Sequence, residues 1–419
     1  MNKNKDKRIT GVAIAMCVLG ALFYYYEYFL RVAPAVMRIE LMQVFSIGEE
    51  QFGILAAYYY YAYTPLQIPV GILMDRFGPR RILTLACFLC AFGTYLFVTT
   101  YLPIAQLGRF LVGFGSAFAY VGILKLSNVW LPKKYFAMMA GISTALGMFG
   151  GISGTVVMSY GVDTLGWQST LYYSMLAGFA LTLILWLVIR DRVSEYKTDS
   201  ISIEPNFKIK FESLKGIISS SQMWLCGIIG CLTFFPITGF AEVWAVSFLQ
   251  TVGMSKNEAA VGASMLFLGF AIGGPIWGLL SDKIESRRLP LIVGSFVSAA
   301  LMTLVIFHPT ASVIWMYPLL FFTTFFASVE ILIFAVSNDL SKPKVSATAI
   351  AFTNMLTMVG GMLLPPVIGK ILDNSTQIID NAPVILIGDY ATALAMLPFS
   401  LILAGVLSIL LKESYHKQH

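Results

Sequence analysis

Gly71-Ile-Leu-Met-Asp75-Arg76-Phe-Gly-Pro-Arg80-Arg81 closes the second apolar stretch of the chain, and Gly278-Leu-Leu-Ser-Asp282-Lys283-Ile-Glu-Ser-Arg287-Arg288 closes the eighth. Both read Gly, four residues on to Asp, a basic residue, then paired Arg five and six beyond the Asp. The second copy begins roughly half a chain length after the first. A matched polar loop at that spacing marks an internal duplication. Duplicated halves are a recurrent transporter architecture, with the binding site near mid-membrane at the interface between them.

Composition agrees with this reading. The 419 residues are 58% hydrophobic and only 12% charged, about half the charge of a soluble globular domain. Apolar residues fall in long runs, and about 20 residues of helix cross a 30 Å hydrocarbon core. A soluble enzyme, a disordered chain, a secreted domain and a nucleic-acid-binding domain are excluded. Turns and charges punctuate the chain into spans near 11–37, 50–74, 82–101, 103–130, 135–160, 168–190, 221–249, 258–280, 289–307, 313–338, 345–371 and 388–411. The expected fold is an all-α polytopic membrane protein with twelve transmembrane helices in two pseudo-symmetric six-helix bundles. Residues 1–190 form the first bundle, 191–220 a polar cytoplasmic linker and 221–419 the second.

Of the 28 Lys and Arg residues, 22 fall in loops on the side of the termini. Only Arg38, Lys256 and Lys370 fall on the opposite side, and Arg31, Arg109 and Lys125 lie within spans. The positive-inside rule then puts both termini in the cytoplasm, as in a cytoplasmic (inner) membrane protein. The net charge of +6 is therefore a topology signal rather than a nucleic-acid footprint. All five cysteines lie in apolar runs, so no disulfide framework is implied. The basic N-terminus leads into a long apolar helix without a small-residue cleavage site, which reads as a retained first span rather than a signal peptide.

The paired loops, in a chain of this topology, resemble the hallmark loop of the major facilitator superfamily. That resemblance covers the whole chain and implies secondary transport by alternating access, with Gly71, Asp75, Arg76, Arg80, Arg81, Asp282, Arg287 and Arg288 forming a gating loop. The glycines are expected to let two helices approach closely, and the Asp and Arg side chains to pair across the cytoplasmic face. The alternative is that the charges merely fix topology. Arg109-x-x-x-Gly113-x-Gly115 in span 4 looks like the second motif of the superfamily, where an intramembrane Arg is implicated in proton coupling; the alternative is an Arg that bonds backbone carbonyls. Gly141, Gly147, Gly151 and Gly154 in span 5 are similar to the motif associated with antiporters, but Met148 stands where that motif carries Pro, and close helix packing explains the glycines equally well.

A charged side chain near the bilayer centre costs roughly 2.5–3.5 kcal/mol on insertion scales, so each is a functional candidate. The six are Glu27 and Arg31 in span 1, Arg109 and Lys125 in span 4, Glu242 in span 7 and Glu330 in span 10. In the superfamily those are the helices that line the central cavity. Glu27 and Arg31 share a helix face and can pair. The segment Tyr24–Met37 is similar to the first helix of the anion:cation symporter branch, where the Arg grips a substrate carboxylate; a guanidinium fork suits that geometry. The alternative for Arg31 is a side chain reaching for the outer interface. Glu242 and Glu330 have no basic residue nearby in their own half and are expected to be unpaired, as a proton carrier requires. Glu27 and Arg109 complete the proton-coupling candidates. Lys125, Tyr61, Trp244 and Asn354 join Arg31 as candidate substrate contacts, although some of Tyr58–Tyr61 also fit an interfacial aromatic belt.

No nucleotide-binding loop, catalytic cluster or metal-ligating group is found, and the three histidines lie in an outer loop and the tail. No enzyme activity, catalytic residue, metal or cofactor is expected, and a channel would not need duplicated halves. The expected function is proton-coupled symport of a small organic anion or zwitterion. The alternative is a proton-coupled exporter or antiporter of amino acids, peptides or drugs. The expected partners are a small-molecule substrate, protons and the lipid bilayer, with no nucleic acid and a monomer as the working unit.

Overall fold

A computed structural model describes residues 3–130, 136–190, 216–341, 345–379 and 382–415. Most of the expected linker, and the loop lysines Lys133, Lys134, Lys342 and Lys344, lie outside the described residues. Eleven helices among the described residues are long and apolar enough to cross a bilayer. The twelfth span is the second. Its four consecutive tyrosines and paired glutamates lower its apolarity, and it is built as Glu49–Leu66 followed by Val70–Phe77, broken between Pro65 and Pro69. Proline lacks the N–H that would continue the helical ladder and clashes with the preceding turn.

The spans predicted to line the cavity are also interrupted, at a proline in spans 1 and 7 and without one in spans 4 and 10. Span 1 runs Lys3–Arg31, pauses at Val32 and resumes as Ala33–Val36 with Pro34 in its first turn. Span 4 is Leu102–Ser116 and Ala119–Trp130. Span 7 is Ser221–Phe235, a wider π turn at Pro236–Ala241, then Ala245–Thr251. Span 10 is Val313–Ala327, a tight 3₁₀ turn at Ser328–Ile331, then Leu332–Asp339. Spans 3, 5, 6, 8 and 9 are unbroken helices, Pro79–Phe97, Phe136–Leu165, Trp167–Val188, Lys256–Lys283 and Arg288–Phe307. Span 8 starts where Ser255 and Glu258 satisfy each other's backbone N–H in a capping box. Span 11 (Ser346–Thr357, Val359–Ser375) and span 12 (Ile387–Leu394, Met396–Leu410) are joined by a short hairpin, Gln377–Ile379 paired antiparallel with Ala382–Val384. That hairpin is the one departure from an all-α chain among the described residues.

The outer faces of the bundles carry Leu183, Leu187, Leu279, Ile314 and Phe399 in the open, as a lipid-facing surface requires. Between the halves, span 2 packs on span 11 and span 5 on span 8. The first contact is so close that a Cβ at Gly53 would stand 2.2 Å from the Pro365 carbonyl oxygen. The halves are clamped at the end away from the chain termini. There Asp373 accepts the backbone N–H groups of Glu49 and Glu50, both at 2.8 Å. Lys256 pairs with Asp163 at 2.7 Å and Glu40 at 3.2 Å, and Lys370 faces Glu50 at 3.7 Å. Nearer the terminal end, Asn354 donates to Gln67 at 2.8 Å.

One expectation for the repeated loops is corrected. A Cβ at Gly71 or at Gly278 would meet nothing within 4 Å, so neither glycine serves a close helix approach in this conformation. The loops instead fasten to their own halves. Arg80 donates to the Trp186 carbonyl at 3.1 Å and stacks 4.4 Å above its ring. Arg287 pairs with Asp282 at 2.7 Å and faces Asp339 at 3.8 Å, while Glu413 accepts the backbone N–H groups of Arg287 and Arg288. Arg81 and Arg288 are exposed, Arg76 lies 5.2 Å from the Phe77 ring, and the Asp75 side chain lies outside the described residues.

Candidate functional site

The break in span 1 builds the site. Pro34 has no N–H to offer the carbonyl of Leu30 four residues earlier, and Ala35 turns its N–H to Val32 instead of Arg31. Two carbonyls are thus left without their helical donors at a buried helix end. Arg109 supplies both bonds, from Nη1 to Leu30 O at 2.9 Å and from Nη2 to Arg31 O at 3.1 Å. A cation at a helix C-terminus also complements the helix dipole. Of the two readings of Arg109, this geometry is the backbone-bonding one. Gly113, one turn on, lets span 4 cross span 2, since a Cβ there would sit 1.9 Å from the Tyr59 carbonyl oxygen.

Fixed in this way, Arg31 points into the protein at 3% exposure and does not reach for an interface. Its Nη2 donates to Glu27 at 3.0 and 3.3 Å. Its guanidinium carbon lies 4.0 Å from the ring centre of Tyr28, 5.0 Å from those of Tyr59 and Tyr63, and 6.0 Å from that of Tyr60. Cation–π attraction of this kind strengthens when the pair is desolvated. The Tyr59 hydroxyl donates to Glu27 at 2.9 Å.

Glu242 arrives from the other half. The π turn places it with its N–H on the Ile237 carbonyl, and its carboxylate then faces Arg31 Nη1 at 3.7 Å and accepts the Tyr60 hydroxyl at 2.5 Å. The expectation of an unpaired Glu242 is therefore corrected: its partners lie in the opposite half, which its own half's composition does not reveal. Two arginines and two glutamates, all nearly or fully buried, converge at the interface between the halves.

Other candidates are placed elsewhere. Tyr61 lies away from Arg31. It packs on Tyr58, 5.4 Å between ring centres, on the outer face of span 2, whereas Tyr59, Tyr60 and Tyr63 are buried around Arg31. At 100° per residue these two sets occupy different faces of one helix. Trp244 is fully buried, edge-on to Phe52 at 5.6 Å, and its indole N–H has no partner among the described residues. Lys125 is half-buried on the second segment of span 4, nearer the terminal end. Asn354 is engaged by Gln67. Glu330 sits in the 3₁₀ turn of span 10 at 4% exposure, with no ion pair or hydrogen bond among the described residues. Sequence reasoning missed Tyr28, Tyr59, Tyr60 and Tyr63. A helical wheel anchored on Phe52 and Ala56 would have marked Tyr59 and Tyr63; nothing local separates Tyr28 from Tyr24–Tyr26.

The described residues contain no group of three or more His, Cys, Asp or Glu arranged to hold a metal. The site can grip an anionic group through Arg31 and exchange protons through carboxylates, and it offers several aromatic hydroxyls.

Comparison with known proteins accords with this arrangement. The probable galactarate/D-glucarate transporter GudP of Escherichia coli (strain K12) is 23% identical over 421 residues, covering 91% of each chain. The lysosomal dipeptide transporter MFSD1 of Bos taurus is 24% identical over 325 residues, 71% of this chain and 66% of that one. Among solved structures, a bacterial homologue of the human lysosomal transporter Spinster, inward-facing and unoccupied, superimposes with a TM-score of 0.77 at 18% identity, covering 96% of this chain and 95% of that one. The Major Facilitator Superfamily profile matches residues 13–365, and the chain is a membrane transporter belonging to that superfamily.

Proposed function

We propose that the protein carries a small organic anion into the cell together with protons, by rocking its two halves about the Arg31 site. The observation that supports this most is Arg31 itself. A buried guanidinium, caged by Tyr28, Tyr59 and Tyr63 at the interface of two halves, is suited to a carboxylate or a similar oxyanion. Hydroxylated sugar acids, the cargo named for the bacterial relative, match both the cation and the surrounding tyrosine hydroxyls. With both termini in the cytoplasm, the clamp formed by Asp373 and Lys256 closes the outer side. The protein works as a monomer, its linker 191–220 joining bundles 1–190 and 221–419. Glu27, Glu242 and Glu330 are the candidate proton carriers.

A second reading is a zwitterion such as a short peptide. The spans of the first half carry three cations against one Glu and those of the second two Glu, a polarity that fits a carboxylate on one side and an ammonium on the other. The name of the bovine relative points the same way. Thermal stabilisation of the purified protein by D-glucarate, galactarate, simple carboxylates, amino acids and dipeptides separates the two. Stabilisation by sugar acids, lost in Arg31→Ala, is expected; stabilisation by dipeptides alone would favour the second reading, and an undiminished effect in Arg31→Ala would refute both.

A further inference from the structure

Glu27 and Glu242 both face Arg31, but they are held very differently. Glu27 lies on the same helix as Arg31, takes two hydrogen bonds from its Nη2 and a third from Tyr59, and all three groups belong to one half. Nothing in a rocking motion separates them. Glu242 comes from the opposite half on a π turn, and its Oε1 stands 3.7 Å from Arg31 Nη1, beyond hydrogen-bond distance, with no hydrogen bond of its own. Among the described residues the one hydrogen bond to its carboxylate is that from Tyr60 to Oε2.

We propose that the Glu242 carboxylate is the exchangeable anion of this carrier. It stands at the substrate's place on Arg31 as a stand-in tethered to the other half, and a substrate carboxylate takes that place only when Glu242 binds a proton. Glu27 is the fixed counter-ion that positions Arg31. This assignment rests on the anion-uptake reading above and narrows it to one of the candidate carboxylates.

Charge balance carries the argument. Arg31 and Arg109 are matched by Glu27 and Glu242, and a substrate carboxylate added to this buried set would leave one negative charge uncompensated. An uncompensated buried charge is heavily penalised. One proton on Glu242 offsets the one carboxylate that docks on Arg31: it comes from solution, resides on a Glu242 oxygen while the substrate is bound, and leaves when the substrate leaves; the second carboxylate of a diacid lies outside this exchange. The charged and titratable groups that act on Glu242 are Arg31, Glu27 and Tyr28 of span 1, Tyr60 of span 2 and Arg109 of span 4, all from the first half. Spans 8 and 11, which also pack on the π turn, carry their charged residues only near their ends, and Glu330 of span 10 makes no ion pair or hydrogen bond among the described residues. The exchange is therefore confined to one carboxylate. It also links the halves, because releasing Glu242 from Arg31 removes an ionic contact between them at the site itself.

The test compares wild type, Glu242→Gln and Glu27→Gln as full-length protein in nanodiscs, with D-glucarate as probe and two readouts. In calorimetry, wild-type affinity is expected to fall with rising pH, by about tenfold per pH unit once Glu242 is ionised in the empty protein, as one linked proton requires. Glu242→Gln should bind with an affinity that changes less than about twofold over the same range. Glu27→Gln should bind more weakly than wild type but with the same pH dependence. An unchanged pH dependence in Glu242→Gln overturns the proposal. The second readout needs no substrate. Acidification of the empty wild type should raise a protonated-carboxyl infrared band that is missing from Glu242→Gln and present in Glu27→Gln. A band that persists in Glu242→Gln overturns the proposal even if D-glucarate does not bind, whereas failure of every anion to bind wild type with the band behaving as expected would count against the substrate reading alone.

Discussion

Replacing Asp373 with Ala is expected to open the molecule at the end where its halves are clamped. Asp373, near the end of span 11, places its two carboxylate oxygens on the N–H groups of Glu49 and Glu50 at 2.8 Å each. These are the first residues of the helix Glu49–Leu66, whose leading N–H groups have no partners within the helix. The second half thus caps a helix of the first, with a negative charge at the positive end of its dipole. Hydrogen bonds to charged groups contribute about 1.5–3 kcal/mol and cap removals cost about 0.5–2 kcal/mol. The Glu50 bond is exposed, so about 2 kcal/mol in total is the reasonable figure, a shift of about 30-fold between clamped and open conformers. Gly48 offers an independent perturbation of the same contact, since a Cβ there would stand 2.9 Å from the Asp373 carboxylate oxygens. Spin labels at the exposed positions Leu165 and Trp315, one in each half at the clamped end, would report it by pulsed electron resonance after the native cysteines are replaced. Asp373→Ala and Gly48→Ala should both enlarge the long-distance population, with Asp373→Asn between them and wild type. Distance distributions superimposable on wild type for both alanine variants would refute the idea that this cap clamps the halves.

Further outcomes follow from the same geometry. Arg109→Leu leaves the Leu30 and Arg31 carbonyls unbonded in a buried site, each at about 1–3 kcal/mol, so a lowered unfolding temperature even without substrate is expected, partly recovered in Arg109→Lys; undisturbed stability would contradict the capping role. Tyr60→Phe, which removes the hydroxyl that donates to the Glu242 carboxylate, should ease its protonation and so extend anion binding to higher pH, whereas Tyr61→Phe on the outer face should leave uptake at wild-type level, as initial-rate transport assays would show. Burial works against the Glu413 carboxylate, but hydrogen bonds from the Ser286 hydroxyl and the backbone N–H groups of Arg287, Tyr415 and Arg288 hold its pKa down at about 2. A group depressed in the folded state contributes stability above its ordinary value and loses it as pH falls through the depressed one. Amide exchange at Arg287 and Arg288, corrected for intrinsic rate, should therefore stay slow down to the ordinary carboxylate range and accelerate from there towards pH about 2; in Glu413→Gln it should be faster at every pH.

Much of the architecture was legible because a bilayer imposes simple rules. The spans, the repeated loops and the rarity of charge inside the spans are local properties, and four of the six span charges, Glu27, Arg31, Arg109 and Glu242, do meet at one place. What stayed hidden is what depends on packing between distant segments. Glu242 looked unpaired because its partners come from the other half of the chain. Four consecutive tyrosines, Tyr58–Tyr61, hide which face of span 2 is buried. The task of Arg109 depends on Pro34, whose missing N–H is visible in sequence but whose orphaned carbonyl becomes meaningful only beside span 4. Lys256 and Lys370, counted only as the few basic residues on the far side, turn out to join the halves there. Gly71 and Gly278 fit a recurring pattern yet face open space in this conformation, which a pattern alone does not show.

The central claim is that Arg31 binds an anion whose entry is driven by protons. The most direct measurement is accumulation of D-glucarate in proteoliposomes containing the pure protein, with an acidic exterior and a neutral interior, alongside Arg31→Gln. The account predicts accumulation above the external concentration, abolished by a protonophore and absent in Arg31→Gln. Accumulation that survives collapse of the pH gradient, or that proceeds normally in Arg31→Gln, would contradict it.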